Sequence, residues 1–420
     1  MRRIPLRTAY DLTLLSVVLA LLAIGLAMVY SASGIKALDT LDEPRHYLVQ
    51  QSAWVGVGLV AMFIVARVDY HRYRRLALPA LVIAILLLVA VLVPGLGTRV
   101  GGASRWLRIT SFVGIQPAEL AKLTLVVYLA FWLGRHRERV QSVTVTVPFL
   151  VLIGLVAGLV VAEPDLGTAI VVGAIGLAMY FVAGARLREF GALGLLAVAA
   201  VAAAAVIQPY RLQRILTFLD PWSDPRGAGF QTIQSLYGLA LGGPFGEGLG
   251  AGKEKFGFLP APYTDSIFAV LGNELGLFGT LAVVLLFLMI AFKGVRIARR
   301  APDATGAILA AGITTWIVFQ AWVNMAVVAS LVPMTGITLP FISYGGSSIC
   351  VGLVGVGILL NIGRQGIPRA EVAAPTVPRP ARGGRDGRSR QPAARGGRGA
   401  AGGRAGHGAP VRRGATRTRG

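Results

Sequence analysis

Several short stretches of this 420-residue chain gather cations, glycines and isolated carboxylates, the side chains needed to handle a charged leaving group. Gly101-Gly102-Ala103-Ser104-Arg105-Trp106-Leu107-Arg108 is one, and Glu163-Pro164-Asp165-Leu166-Gly167-Thr168 is another. Arg211 and Arg214 come next, followed by Gln231, Gln234, Ser235 and Gly238, whose spacing puts them on one face of a short helix. Eight glycines fall from Gly238 to Gly257, with Lys253 and Lys255 among them. The run Leu259-Pro260-Ala261-Pro262-Tyr263-Thr264-Asp265-Ser266 closes the series. Cations beside glycine-permitted backbone amides suit a pyrophosphate. A lone carboxylate near them suits general-base work. Arg105, Arg214, Lys253 and Lys255 are therefore candidates for the pyrophosphate, and Asp265 for the base. Gly252-Lys253 is not a nucleotide-binding P-loop. Glu247 stands where that pattern needs its first glycine, and Glu254 follows the lysine in place of Ser or Thr.

Each candidate has a plainer reading. Thr264 and Asp265 stand where a helix N-cap belongs, and Asp is a favoured cap. The helix dipole would lower the Asp265 pKa and burial would raise it, and the sequence does not decide between them. Glu119 and Lys122 share a helix face at i and i+3, inside an apolar run where charge is expensive. They are either a self-neutralising pair or part of the site. Gln320 and Asn324, at i and i+4, read as interhelical hydrogen-bonding residues. Cys350 is the only cysteine, which excludes an intramolecular disulfide and a multi-cysteine metal site, and the four histidines are not in ligand spacing.

The elements that must position these residues are membrane helices. Apolar runs such as Leu76 to Val93 and Leu275 to Phe292 recur along the chain. About 20 apolar residues cross a bilayer as a helix, and lipid offers no partner to an unpaired backbone group. We expect an all-α integral membrane fold with ten spans: 10–31, 48–66, 76–95, 117–134, 144–162, 166–184, 190–208, 266–292, 304–330 and 345–362. The first is an uncleaved helix, being too long for a signal peptide. With ten spans, the clusters around Arg3, Arg72, Arg137, Arg186 and Arg299 all fall on one side, which the positive-inside rule makes cytoplasmic. Both termini then lie inside, and the chemistry-bearing segments lie outside. The long outer segment 209–265 has internal order: Pro221, Pro225 and Gly227 mark a turn, Phe230 to Ala240 reads as a short helix, and the whole reads as a partly re-entrant loop at the bundle's mouth.

Composition agrees. Hydrophobic residues make up 55% and charged residues 14%, where a soluble domain carries roughly 25% charged. The net charge of +22 does not argue for nucleic acid, because residues 369–420 hold 13 Arg against Glu371 and Asp386 and so supply half of it. That Arg-, Gly-, Ala- and Pro-rich stretch is expected to be a disordered cytoplasmic tail, separate from the membrane domain at 1–368. It is either solvated or held on anionic lipid headgroups.

Four ordered motifs carry a resemblance. Gln116-Pro117-Ala118-Glu119-Leu120-Ala121-Lys122, Glu163 to Ala169, Lys253 to Gly276, and Thr338-Leu339-Pro340-Phe341-Ile342-Ser343-Tyr344-Gly345-Gly346-Ser347-Ser348 resemble signatures of the SEDS family, whose members include FtsW, RodA and SpoVE. The similarity runs from about residue 10 to 365, and its wording is nearer the division branch than the elongation branch. It implies a peptidoglycan glycosyltransferase that polymerises lipid II, with Asp265 at the catalytic position. Glu119, Lys122, Ser343, Gly345 and Ser347 lie in these motifs, and together with Gln231, Gln234 and Ser235 on the short helix they are further substrate-binding candidates. The chain departs from the family at Ala261-Pro262-Tyr263, where Glu-Ala-His is common, and at Asn273, where Glu is common.

The implied reaction joins the 4-hydroxyl of a lipid II GlcNAc to the MurNAc of a strand linked to undecaprenyl pyrophosphate. A single base and no carboxylate nucleophile implies inversion. No organic cofactor is expected, and a divalent cation, Mg or Mn, is a candidate at the pyrophosphate. The expected partners are a class B penicillin-binding protein, other division proteins and membrane lipids, at the septal plasma membrane. A lipid II flippase, an elongation-type polymerase and a non-catalytic division scaffold are the rival readings.

Overall fold

The computed structural model describes residues 11–100, 103–108, 114–252 and 259–366. Lys253, Lys255 and the expected tail lie outside the described residues. The chain is helical throughout its membrane part: α1 Leu12–Leu41, α2 His46–Arg67, α3 Arg74–Leu92, α4 Pro117–Arg135, α5 Val143–Ala162, α6 Leu166–Val182, α7 Leu187–Ile207, α8 Pro209–Leu219, α9 Phe230–Leu241, α10 Ile267–Arg299, α11 Ala304–Val328 and α12 Gly346–Gln365. Among the described residues, nine helices are long and apolar enough to cross a membrane, and α6, at 17 residues, is a shorter apolar helix at the position of the remaining expected span. This is a multi-pass membrane protein.

Three features differ from the sequence reading. The segment 32–47 is mostly not a loop, because α1 runs on to Leu41. The segment 96–116 carries a small antiparallel sheet, β1 Thr98–Val100, β2 Ala103–Arg108 and β3 Gly114–Ile115, ordered β1-β2-β3. Arg211 and Arg214 do not open a loop. They sit on α8, an amphipathic helix that follows α7 directly and uses Pro209 at its first turn, where the missing N–H is no loss.

The core lies along α4, α6, α11 and α12, with α2 against α12 and α10 against α11. Peripheral helices turn apolar side chains outward, among them Leu86 on α3, Leu195 on α7 and Leu285 on α10, as a helix does when its solvent is hydrocarbon. The helix α10 is broken at Gly276, whose φ of 67° and ψ of −163° are not helical. The glycine-rich segment fills the break. The amides of Glu247 and Gly248 donate to the carbonyls of Asn273 and Glu274, and those of Leu277 and Phe278 donate to Gly243 and Pro244. Two glycines are required there. A Cβ on Gly276 would lie 2.3 Å from the Gly246 nitrogen, and one on Gly246 would lie 2.2 Å from the Glu274 carbonyl oxygen. The amides of Glu247 and Gly248 thus close a helix break, so they are not placed to cradle a pyrophosphate.

Candidate active site

Asp265 precedes α10, and its backbone is held from two sides. Asn324 Nδ2 donates to the Asp265 carbonyl at 2.9 Å and to that of Ile337 at 2.7 Å. Ser343 Oγ donates to the Thr264 carbonyl at 2.7 Å and accepts from the Leu339 amide at 2.8 Å. The Tyr344 amide donates to the Tyr263 carbonyl at 2.8 Å. Three consecutive carbonyls before the helix are therefore fixed by α11 and by the segment 337–344. The capping reading is not taken up. Ser266 is the N-cap, no side chain caps α10, and no described amide of the helix donates to the Asp265 carboxylate. Gly336 borders that carboxylate, where a Cβ would stand in ordinary contact at 3.4 Å from Asp265 Oδ2, and its φ of 73° is what asks for glycine.

The carboxylate faces a cavity of about 590 Å³. Part of its lining is charged. Arg105 comes from β2, Asp165 from the α5–α6 turn and Arg214 from α8. The Arg105 guanidinium donates to the carbonyls of Glu163, at 3.1 Å, and Pro164, and lies 3.9 Å from Asp165 Oδ2. Arg214 Nη1 donates to the Met334 carbonyl at 3.2 Å, and its guanidinium lies 5.4 Å from the Tyr210 ring centroid. Asp165 caps α6 by accepting from the Thr168 amide at 3.0 Å. Aromatic residues also line the cavity: Tyr47 and Trp54 from α2, Trp106 beside Arg105 on β2, Tyr263 and Tyr344. Burial pushes the Asp265 carboxyl above its ordinary value. Arg105 opposes the rise, Asp165 adds to it, and Arg214 and the Thr264 hydroxyl oppose it. The result is a stronger base than a solvated carboxylate.

Of the sequence candidates, Asp265, Arg105, Arg214, Glu119 and Gly345 meet at this cavity. Lys122 does not. It lies beneath, fully buried, with its Nζ donating to Glu119 Oε1 at 2.8 Å and Gln320 Oε1 at 2.6 Å. Burial of an ammonium requires such partners, so Lys122 holds Glu119 and α11 together and cannot reach a substrate here. Gln231 lines a second cavity of about 250 Å³ and donates to Ser266 Oγ at 3.1 Å. Gln234 lines neither cavity, and Ser235 is buried on α9. Ser343 and Ser347 act on the backbone, the latter accepting from the Gln116 amide at 3.4 Å. Lys253 and Lys255 lie outside the described residues. The sequence reading did not single out Asp165 or the aromatic lining as site residues. Asp165, Tyr263 and Tyr344 were visible in their motifs, but Tyr47 and Trp54 on α2 carry no local signal.

Gln320 and Asn324 do hydrogen-bond between elements. Gln320 Nε2 donates to the Thr338 carbonyl at 3.1 Å, while its Oε1 accepts from Trp316 Nε1 at 3.0 Å. Below them Leu125, Leu129 and Leu133 are fully buried on α4.

The family described as "Cell cycle protein", covering FtsW, RodA and SpoVE, matches residues 12–366. A "Probable peptidoglycan glycosyltransferase FtsW" of Trichlorobacter lovleyi is 42% identical over 362 residues, covering 86% of this chain and 95% of that one. "Stage V sporulation protein E" of Bacillus subtilis is 43% identical over 359 residues, covering 85% and 98%. Among solved structures, a chain from work on the structural coordination of polymerization and crosslinking by a peptidoglycan synthase complex superposes with a TM-score of 0.70 at 33% identity, covering 85% of this chain and 98% of that one. The rod shape determining protein RodA of Thermus thermophilus superposes with a TM-score of 0.63 at 27% identity, covering 85% and 97%.

Proposed function

Because this chain belongs to the FtsW, RodA and SpoVE family of cell cycle proteins, we infer that it is a peptidoglycan glycosyltransferase that polymerises lipid II during division. The observation that carries the mechanism is one carboxylate, on a clamped backbone, facing two guanidinium groups across a cavity. Asp265 removes the proton of the acceptor's GlcNAc 4-hydroxyl. The freed oxygen attacks the anomeric carbon of the donor MurNAc, and the bond to undecaprenyl pyrophosphate breaks. Arg105 and Arg214 receive the charge that develops on the pyrophosphate. The other carboxylates at the cavity are engaged, Glu119 by Lys122 and Asp165 by the α6 amide and Arg105. A direct displacement with inversion fits a site with one available carboxylate.

Among the described residues, no three carboxylate, histidine or cysteine side chains are grouped to hold a metal. A complete protein-only cage is therefore not built from the described residues, whereas a Mg ion shared with substrate phosphates needs only one or two carboxylates, and Asp165 and Asp265 line the cavity. A divalent cation enters this proposal only as a counter-ion carried by the pyrophosphate oxygens, and no step runs through it. The cavity is built from the starts of α2, α4, α6, α10 and α12, whereas the arginines Arg67, Arg135 and Arg299 stand at the far ends of α2, α4 and α10. This supports an extracytoplasmic site with cytoplasmic termini. The buried leucines below Lys122 weigh against a flippase path. Polymerisation leaves strands uncrosslinked, so the chain works with a transpeptidase, of the class B penicillin-binding type. The relative solved in a complex that joins polymerization and crosslinking supports this.

The test is Asp265→Asn on the purified, partner-bound chain. The amide cannot accept the proton, so polymerisation of lipid II should fall at least about 10²-fold with thermal stability unchanged. Near-normal rates from the folded variant would end the catalytic assignment.

A further inference from the structure

We propose that the aromatic cluster lining this cavity, Tyr47, Tyr263 and Tyr344, is the platform against which the acceptor sugar ring packs. The inference rests on the glycosyltransferase reading above and adds a subsite to it. The three rings form one cluster. Tyr47 and Tyr263 lie 4.9 Å apart between centroids and 31° from parallel. Tyr344 stands edge-on to both, at 5.2 Å and 87° from Tyr47 and at 5.7 Å and 77° from Tyr263. The cluster is anchored from outside itself. The Tyr344 hydroxyl donates to Gln50 Oε1 at 2.5 Å, and its amide holds the Tyr263 carbonyl. All three side chains stay partly exposed and line the same cavity as Asp265.

Three partly exposed, mutually locked aromatic rings in a cavity call for a ligand with an apolar face. A pyranose has one, because its axial C–H bonds present weakly positive hydrogens on one side of the ring. The face of a tyrosine ring is negative, and such a pairing is favourable. The Tyr263 ring already shows this preference, with Lys36 Nζ 5.4 Å from its centroid. Other groups lining the cavity, Arg105 and Arg214, are charged and match a pyrophosphate instead. Two chemically different sets of groups suit two parts of one reaction, the leaving pyrophosphate at Arg105 and Arg214 and the sugar at the tyrosines. The base decides which sugar. Asp265 is two residues from Tyr263, on the same clamped segment, so a ring packed on Tyr263 lies beside the carboxylate that must take its proton. That ring belongs to the acceptor.

The experiment compares Tyr263→Leu, Tyr263→Phe and Tyr47→Leu in the full chain, with initial polymerisation rates over a range of lipid II concentrations. Lipid II binding is measured in parallel in the non-turning-over Asp265→Asn background. A platform predicts that Phe stays within about twofold of the parent in KM and Kd, because it keeps the ring. Both Leu variants should raise KM and Kd about tenfold while kcat changes less than about threefold. If Tyr263→Leu does not fold, Tyr47→Leu carries the same expectation. Parent-like KM and Kd in the folded Leu variants overturn the proposal, and so does a Phe variant as weak as Leu, which would assign the effect to the hydroxyl. A failed Asp265 assignment appears separately, as polymerisation by Asp265→Asn itself.

Discussion

Among the described residues, Glu163 is the one carboxyl with both oxygens buried and without a hydrogen-bond partner. It is fully buried in the α5–α6 turn. Burial lifts its pKa from an ordinary 4.5 to about 8, Asp165 adding to the rise and Arg105 opposing it. At neutral pH it is mainly protonated. The folded state then holds a proton that the unfolded chain releases, so this group disfavours folding progressively as pH rises from about 4.5 toward 8. The slope is at most about 1.4 kcal/mol per pH unit. Gln cannot ionise and keeps the shape, so Glu163→Gln should flatten the dependence. Melting temperatures of the two proteins should agree near pH 5 and separate by pH 8, with the variant higher. Parallel curves would show that Glu163 does not titrate in this window. Arg105 belongs to the same local problem. Its guanidinium bonds to the turn that carries Glu163 and Asp165 and also faces the cavity, so removing it should disturb both the fold of the turn and the charge at the site.

At the scale of elements, the break in α10 is what brings the loop 242–248 into the bundle. A continuous helix would leave no unpaired groups near Gly276, and the glycine-rich segment would have nothing to pair with. The prediction is steric. Gly276→Ala places a Cβ 2.3 Å from the Gly246 nitrogen at a φ of 67°, and both the contact and the dihedral oppose it. The cost should be about 1–3 kcal/mol or more. Gly154→Ala on α5 is the matched control, because a Cβ there meets nothing within 4 Å. Thermal unfolding should show a clear loss for the first and little change or a slight gain for the second. Equal melting temperatures would mean that α10 is not broken at Gly276 as described.

For the whole molecule, the cavity and the arginine clusters occupy opposite ends of the same helices. The arginine-bearing end has its own fastening, in which Asp303 accepts from the Tyr70 hydroxyl and lies 2.8 Å from His71 Nε2, tying the α2–α3 linker to the start of α11. Orientation follows from charge. Reporter fusions after Arg139 and after Arg300 should read cytoplasmic, and one near Asp224 should read external. An external signal at Arg300 would invert the assignment and put Asp265 on the wrong side for strand synthesis.

The amino-acid sequence by itself determined the membrane class, the order of the spans and the position of Asp265. Apolar run length and cation placement are local properties, and lipid permits few other folds for them. It also made Gln320 and Asn324 legible as hydrogen-bonding residues, because an amide in an apolar helix needs a partner. Only the tertiary structure decided what those partners are. The clamp on Asp265 joins Asn324 and Ser343 to carbonyls 59 and 79 residues away, a pairing that no spacing rule reports. The sequence left Lys122 either paired with Glu119 or part of the site, and only the structure shows it buried between Glu119 and Gln320. Gly246, in the segment read as an anion cradle, packs instead against the Glu274 carbonyl at the break in α10. Tyr47, Tyr263 and Tyr344 are ordinary one by one, and only the packing of α2 against the segments before α10 and α12 turns them into part of a cavity's lining. Residue type and period act along the chain, whereas a site is assembled across it, so the chemistry could be anticipated while its geometry could not.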